Sequence, residues 1–168
     1  MVRTLLTAFA LLAASAHAVD FPTMKAGLWE SRLVREGAPT KAAATQICMN
    51  AAVQKEMLDM TMGNMKSMCT KNDIRRDGNR MYGTAECKFG ESAMKSNSVT
   101  TFAGDSAYRT EVKATFDPPF MGKATSNTVI EGKWMGACPA GMQPGDVTMP
   151  DGRKMNMLDM RGAMGSAK

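Results

Sequence analysis

Cys69-Thr70-Lys71-Asn72-Asp73-Ile74-Arg75-Arg76-Asp77-Gly78-Asn79-Arg80-Met81-Tyr82-Gly83-Thr84-Ala85-Glu86-Cys87 reads as two strands around a tight turn. Asp77-Gly78-Asn79 supplies the turn chemistry, because Asp and Asn bond their own backbone and Gly accepts positive φ. Opposed residues of an antiparallel hairpin share a constant index sum. A three-residue loop at Asp77-Gly78-Asn79 sets Arg76 opposite Arg80, and Cys69 opposite Cys87 by the same sum. Non-hydrogen-bonded pairs hold their Cα atoms about 4.5 Å apart, at the short end of disulfide geometry. A Cys69–Cys87 bridge closes about 18 residues, worth roughly 3 kcal/mol in the chain-entropy model. Cys48 and Cys138 are left to pair with each other by exclusion. The register is critical, since a one-residue slip sends the two thiols of the hairpin to opposite faces.

The same grammar continues outward. Ser92–Phe102 and Ala107–Phe116 flank Ala103-Gly104-Asp105-Ser106. Asp117-Pro118-Pro119-Phe120-Met121-Gly122 then interrupts, and Lys123–Cys138 resumes as a long strand. Before the hairpin, Gly27–Glu36 alternates with Trp29, Ser31 and Leu33 on one face, and Ala44–Cys48 forms a second short strand. Asn50 is an N-cap for a helix over Ala51–Thr61, rich in Ala, Gln, Lys, Glu, Met and Leu. Gly63 is placed to close that helix, with Asn64–Met68 as a further turn. Successive hairpins with one helix predict a β-rich α+β fold: an antiparallel meander, curved or partly closed, with the helix packed on it. Trp29, Phe102, Phe116 and Trp134 are its apolar candidates.

The amino terminus sets the compartment. Met1–Ala18 has a basic n-region at Arg3, an apolar run and an Ala16-His17-Ala18 cleavage site, so residues 1–18 read as a signal peptide. Residues 19–138 form the disulfide-bonded domain, and 139–168 a Pro/Gly/Met-rich tail that wraps as a loop, with a short helix over Arg153–Met160. No cysteine follows the cleavage site to carry a lipid, and no later stretch is apolar enough to span a membrane. The mature chain is expected in an oxidising periplasm, where an even cysteine count means disulfides. Loss of Arg3 lowers the formal charge from +5 to +4, too mild and too dispersed for nucleic-acid binding.

Four pieces, in order, resemble an exported bacterial family known as domain-of-unknown-function family 3617. Lys25-Ala26-Gly27-Leu28-Trp29-Glu30 is similar to its K-x-G-x-W-E start. Ile47-Cys48-Met49-Asn50 is similar to its cysteine before a polar helix cap. Phe102-Ala103-Gly104-Asp105-Ser106-Ala107-Tyr108 resembles its G-D-S-Y turn, with Ala107 inserted. Glu131-Gly132-Lys133-Trp134-Met135-Gly136-Ala137-Cys138-Pro139 resembles its ending. The resemblance implies a small exported β-rich domain. It implies no activity, and no catalytic residue is carried over.

The chemistry left to the mature chain is narrow. The only histidine, His17, departs with the leader, so His-dependent triads and dyads are excluded. Zinc lacks both a C-x-x-C pair and a histidine. Ser96 and Lys95 are neighbours on a strand and point to opposite faces. Gly104-Asp105-Ser106 reads as a turn rather than a nucleophile elbow. Asp73, Glu86, Glu91 and Glu111 read as solvated strand residues. Arg75, Arg76 and Arg80 either contact an anionic partner or keep the hairpin tip solvated.

The 18 methionines are the conspicuous excess. Met57, Met60, Met62, Met65 and Met68 lie on or after the helix, and Met155, Met157, Met160 and Met164 lie in the tail. Thioethers suit Cu(I) or Ag(I). They are also adaptable core fillers and reversible oxidant sinks. The expectation is a non-catalytic binding or interaction domain without a cofactor, taking a small apolar ligand or an envelope protein. The alternatives are a soft-metal protein and a hydrolase whose site the sequence does not reveal. Export carries a direct check: intact mass of the secreted protein should correspond to a chain beginning at Val19, and retention of His17 would overturn the compartment assignment.

Overall fold

Turn chemistry and strand alternation build a single antiparallel sheet. The computed structural model describes residues 19–35 and 44–159. In chain order they form β1 (Gly27–Arg35), β2 (Ala44–Met49), α1 (Ala51–Met68), β3 (Cys69–Asp77), β4 (Arg80–Phe89), β5 (Ser92–Ala103), β6 (Ala107–Phe120), β7 (Lys123–Gly136), β8 (Asp146–Thr148) and β9 (Lys154–Asn156). The sheet order is β3-β4-β5-β6-β7-β1-β2-β8-β9, with every neighbouring pair antiparallel. β3 to β7 are the expected meander. α1 lies on one face, so the β-rich α+β class holds.

The register of the first hairpin is one residue away from the expected one. Asp77 opposes Arg80, and the turn is Gly78-Asn79, with Gly78 at φ 56°. That register alone would misalign the cysteines. A bulge between Cys69 and Lys71 adds the missing residue and returns Cys69 to Cys87. The two are disulfide-bonded, as are Cys48 and Cys138, and no free cysteine is present.

Five other expectations are corrected. Gly63 does not end the helix: α1 continues unbroken to Met68, and Gly63 sits inside it. Asp117–Gly122 does not interrupt the strand: β6 runs through the cis Asp117–Pro118 bond to Phe120, with a register irregularity between Thr115 and Phe120. β7 ends at Gly136, short of Cys138. The tail is not a loop, since β8 pairs with β2 and β9 with β8, extending the sheet. Among the described residues of the expected Arg153–Met160 helix, helical geometry covers only residues 157–159, because Lys154–Asn156 form β9. Residues 1–18, Met160 and Met164 lie outside the described residues.

The core sits where β1, β2 and the first turn of α1 meet. Trp29, Ile47, Met49 and Val53 are buried together, with Met24, Met57, Tyr108, Trp134, Val147 and Met157 packed around them. Asn50 caps α1 as its sequence position requires: its Oδ1 accepts from the Val53 N–H at 2.9 Å. Val53 is the only buried residue of the helix. Phe116 does not join this core. It stacks on Phe120 at the far end of the sheet, 5.7 Å between ring centroids.

Two glycines permit the close approach of β1, β6 and β7. A Cβ on Gly27, whose φ is 135°, would collide with the Gly136 carbonyl and the Trp134 indole nitrogen. One on Gly132 would fall inside the Tyr108 ring. Tyr108 in turn stacks on Trp29 at 6.0 Å. Asn50→Ala should therefore cost about 1 kcal/mol through the lost cap. Gly132→Ala should cost more, about 1–3 kcal/mol by overpacking. Thermal unfolding should rank the two that way. Equal melting temperatures for Gly132→Ala and the wild type would show that the Tyr108 ring is not wedged there.

Candidate functional site

α1 has a sheet-facing side of Gln54, Met57, Leu58 and Thr61, spaced three and four apart as neighbours on one helix face must be. Opposite them, β5 and β6 present Thr100, Phe102, Tyr108 and Thr110. Strand pairing places Thr100 across from Thr110 and Phe102 across from Tyr108. Between helix and sheet lies a cleft of about 370 Å³, closed at its sides by Met49 and by Phe21, Pro22 and Met24 of the amino-terminal lead-in.

That lead-in is fastened rather than loose. The Gln54 side chain accepts from the Met24 N–H at 3.0 Å and donates to the Pro22 carbonyl at 2.7 Å. The Lys25 N–H donates to the Asp105 carbonyl at 2.9 Å, and the Trp29 indole N–H to the Lys25 carbonyl at 2.7 Å. Arg76 holds Asp20 at 3.2 Å.

The polar atoms of the cleft are largely spent on one another. The Thr100 and Thr110 hydroxyls share a hydrogen bond of 2.8 Å, and the Thr61 hydroxyl donates to the Met57 carbonyl at 2.8 Å. What the lining offers a ligand is aromatic carbon, aliphatic carbon and methionine sulfur.

A second cleft, of about 290 Å³, continues along α1. Thr61 belongs to both. Asn64, Met65, Met68, Cys69, Ala85, Cys87, Phe89, Met94 and Ser96 complete it, so the Cys69–Cys87 bridge forms part of its wall. On the opposite face of the sheet a larger depression, about 700 Å³, has the charged residues Glu30, Arg32, Arg109, Glu131 and Lys133 among its lining. Arg32 bonds Glu30 at 2.7 Å, and Arg109 bonds Glu131 and, outside the depression, Glu111. The Arg32 hydrogen bond, then that of Gln46, holds the Glu30 carboxyl below the usual carboxylate range.

The helix methionines divide rather than converge. Met57 lines the first cleft; Met65 and Met68 line the second; Met60 and Met62 line neither. Met24 and Met49 join Met57 in the first cleft. Their sequence positions gave no signal, because neither belongs to a methionine cluster. Met157 packs on the core, and Met155 lies in β9 opposite Val147 of β8. Gly104, Asp105 and Ser106 form the β5–β6 turn, where the Ser106 carbonyl accepts from the Trp134 N–H at 2.8 Å. Asp73 and Glu111 are solvent-exposed, and Arg75 lies over the Tyr82 ring at 4.0 Å. Among the described residues no group of three or more His, Cys, Asp or Glu is placed to hold a metal ion, and no helix is long and apolar enough to cross a membrane.

The four quoted sequence pieces meet in space. Trp29 pairs with Trp134 across β1 and β7, and Lys25 lies over the Trp134 ring at 4.0 Å. The turn after Phe102 receives both the Lys25 and the Trp134 backbone N–H groups. Cys48, in the piece that leads into α1, is bonded to Cys138 at the end of the last. The model of a family described as "Protein of unknown function (DUF3617)" matches residues 24–138. No curated protein and no solved structure gives a match. That span takes in both disulfides, α1 and the cleft's helix and sheet walls, and by it the chain belongs to the DUF3617 family.

Proposed function

We propose that this protein is a non-catalytic binding domain of the cell envelope that takes a small apolar ligand between α1 and the sheet. The observation that carries the reading is the cleft itself. Its volume, about 370 Å³, falls in the range of ligand sites, and its lining is aromatic, aliphatic and thioether with few free polar atoms. Met24, Met49 and Met57 add side chains that re-pack at small cost, a property of surfaces that accept more than one apolar shape. The groups whose protonation is perturbed stand elsewhere. Asp146 is lowered by the Gln143 backbone N–H and then Asn156, and Asp151 by the backbone and side chain of Arg153. Neither lines the cleft.

A second reading has one observation in its favour: three thioethers, Met24, Met49 and Met57, border the same cleft. Soft sulfur ligands of that kind suit Cu(I) or Ag(I). The two readings share a site and differ in occupant.

Titration with a dansylated undecanoic acid should give saturable fluorescence enhancement with an affinity on the order of micromolar, the level expected for partial burial of one short chain. Leu58→Glu, a charge placed in the lining of a half-buried position, should weaken it by about tenfold or more with the circular dichroism spectrum unchanged. Non-saturating enhancement, or equal affinity in Leu58→Glu, would remove the apolar-ligand reading. Anaerobic Cu(I) loading followed by native mass spectrometry should give no stoichiometric adduct. A one-to-one adduct lost in Met49→Leu would establish the metal reading in its place.

A further inference from the structure

The two ends of the meander are built differently. At one end the β3–β4 and β5–β6 turns carry Asp77-Gly78-Asn79 and Gly104-Asp105-Ser106, polar residues suited to water. At the other end, the β4–β5 and β6–β7 turns bring Phe89 and Phe120-Met121 together. Phe120 lies 6.2 Å from Phe89 and 5.7 Å from Phe116 between ring centroids. Met121 is 86% exposed and Phe120 is 41% exposed. Met68, in the last turn of α1, is 40% exposed and borders the same second cleft as Phe89.

Met121 is also the only non-glycine among the described residues with positive φ, at 49°. Glycine would adopt that conformation at less cost, so a large apolar side chain is held at the outermost point of the turn against the local backbone preference.

We propose that this end of the molecule docks on an anionic phospholipid bilayer, with Phe120 and Met121 entering the acyl boundary. The feature is a projecting tip rather than a groove or a flat face. A tip one hairpin wide offers little area to a folded partner, whereas a bilayer receives it without a matching pocket. Exposed lysines surround it: Lys88 and Lys123 stand at the bases of the two turns, Lys95 and Lys113 lie further along β5 and β6, and Lys66 lies in the last turn of α1. Glu91 and Asp117 are the acidic residues nearest the tip, and further along the strands Glu86 pairs with Lys95 and Glu111 lies two residues from Lys113, so the lysines supply phosphate-reaching groups rather than a large net charge. Such a collar can reach phosphate while its stems lie along the apolar surface. This surface lies apart from the first cleft, so the proposal stands whether or not that cleft binds a ligand.

The test is co-sedimentation of the full mature chain with large vesicles. Phosphatidylethanolamine–phosphatidylglycerol vesicles should pellet the protein, and added salt should weaken binding. Phe120→Ser/Met121→Ser, confined to an exposed turn, should reduce the bound fraction about tenfold at unchanged melting temperature. Lys88→Glu/Lys123→Glu should abolish the preference over pure phosphatidylcholine. Wild-type protein that stays in the supernatant with both vesicle types would overturn the proposal, as would a serine variant that pellets like wild type. Sedimentation velocity supplies a further arm. Concentration-dependent dimerisation that the serine variant loses would mean that the tip meets a second copy instead.

Discussion

Burial of Trp29 is the interaction on which the rest of the structure depends. The indole is 2% exposed and lies against Ile47, Met49 and Val53. A buried indole needs a partner for its N–H, and the Lys25 carbonyl provides one, which fixes the chain entering β1. The same placement brings the strand against β7 so tightly that Gly27 and Gly132 admit no side chain. From that junction the sheet extends in both directions: through β7 into the meander, and through β2 into β8 and β9. Val53 completes the same core, so the first turn of α1 is seated there as well. The remaining turns are not, and the room left beneath them is the cleft.

The class and the order of elements were legible because they follow from local rules. Turn residues separate runs of alternating strand chemistry, and Asn50 caps a helix that it immediately precedes. What was not legible depended on long-range compensation. The hairpin of β3 and β4 is the clearest case. Index arithmetic paired Cys69 with Cys87 on a three-residue loop, whereas the chain uses a two-residue turn and a bulge at Thr70 to reach the same partnership. Two local departures cancel: Gly78-Asn79 is itself a two-residue turn signal, but the compensating bulge has no signature in the sequence. Gly63 misled for the opposite reason. Glycine costs only about 1 kcal/mol inside a helix, and the flanking residues outweigh it. The strands of the tail are three residues long and exist only because β2 offers an unpaired edge.

The site was half legible. The sequence grouped Met57, Met60, Met62, Met65 and Met68 as one cluster on or after the helix; the structure sends Met57 to the first cleft, Met65 and Met68 to the second, and Met60 and Met62 to neither. The sheet side of the cleft could not be found without knowing the register of β5 against β6, which brings Thr100, Phe102, Tyr108 and Thr110 into one patch. The contribution of Phe21, Pro22 and Met24 depends on Gln54, a helix residue about thirty positions away in sequence. Phe116 was expected in the core because it is aromatic and sits in a strand. Its ring neighbour is Phe120, the last residue of β6, which in turn meets Phe89 at the end of β4.

The positions of the two disulfides bear on more than the unfolded chain. Cys48 lies two residues before the helix cap, and Cys69 directly follows the last helical residue. α1 is thus mounted like a bucket handle, riveted covalently near both ends while its middle rests on a thin, compliant layer of methionine and threonine. A handle of this kind can bow away from the sheet and return without strands separating, because the rivets carry the constraint that a tightly packed helix would draw from its core. On the proposed binding function, guest exchange then needs no global opening. Reduction would release both mounts together and leave the helix held by Val53, Met57, the Gln54 hydrogen bonds and its cap.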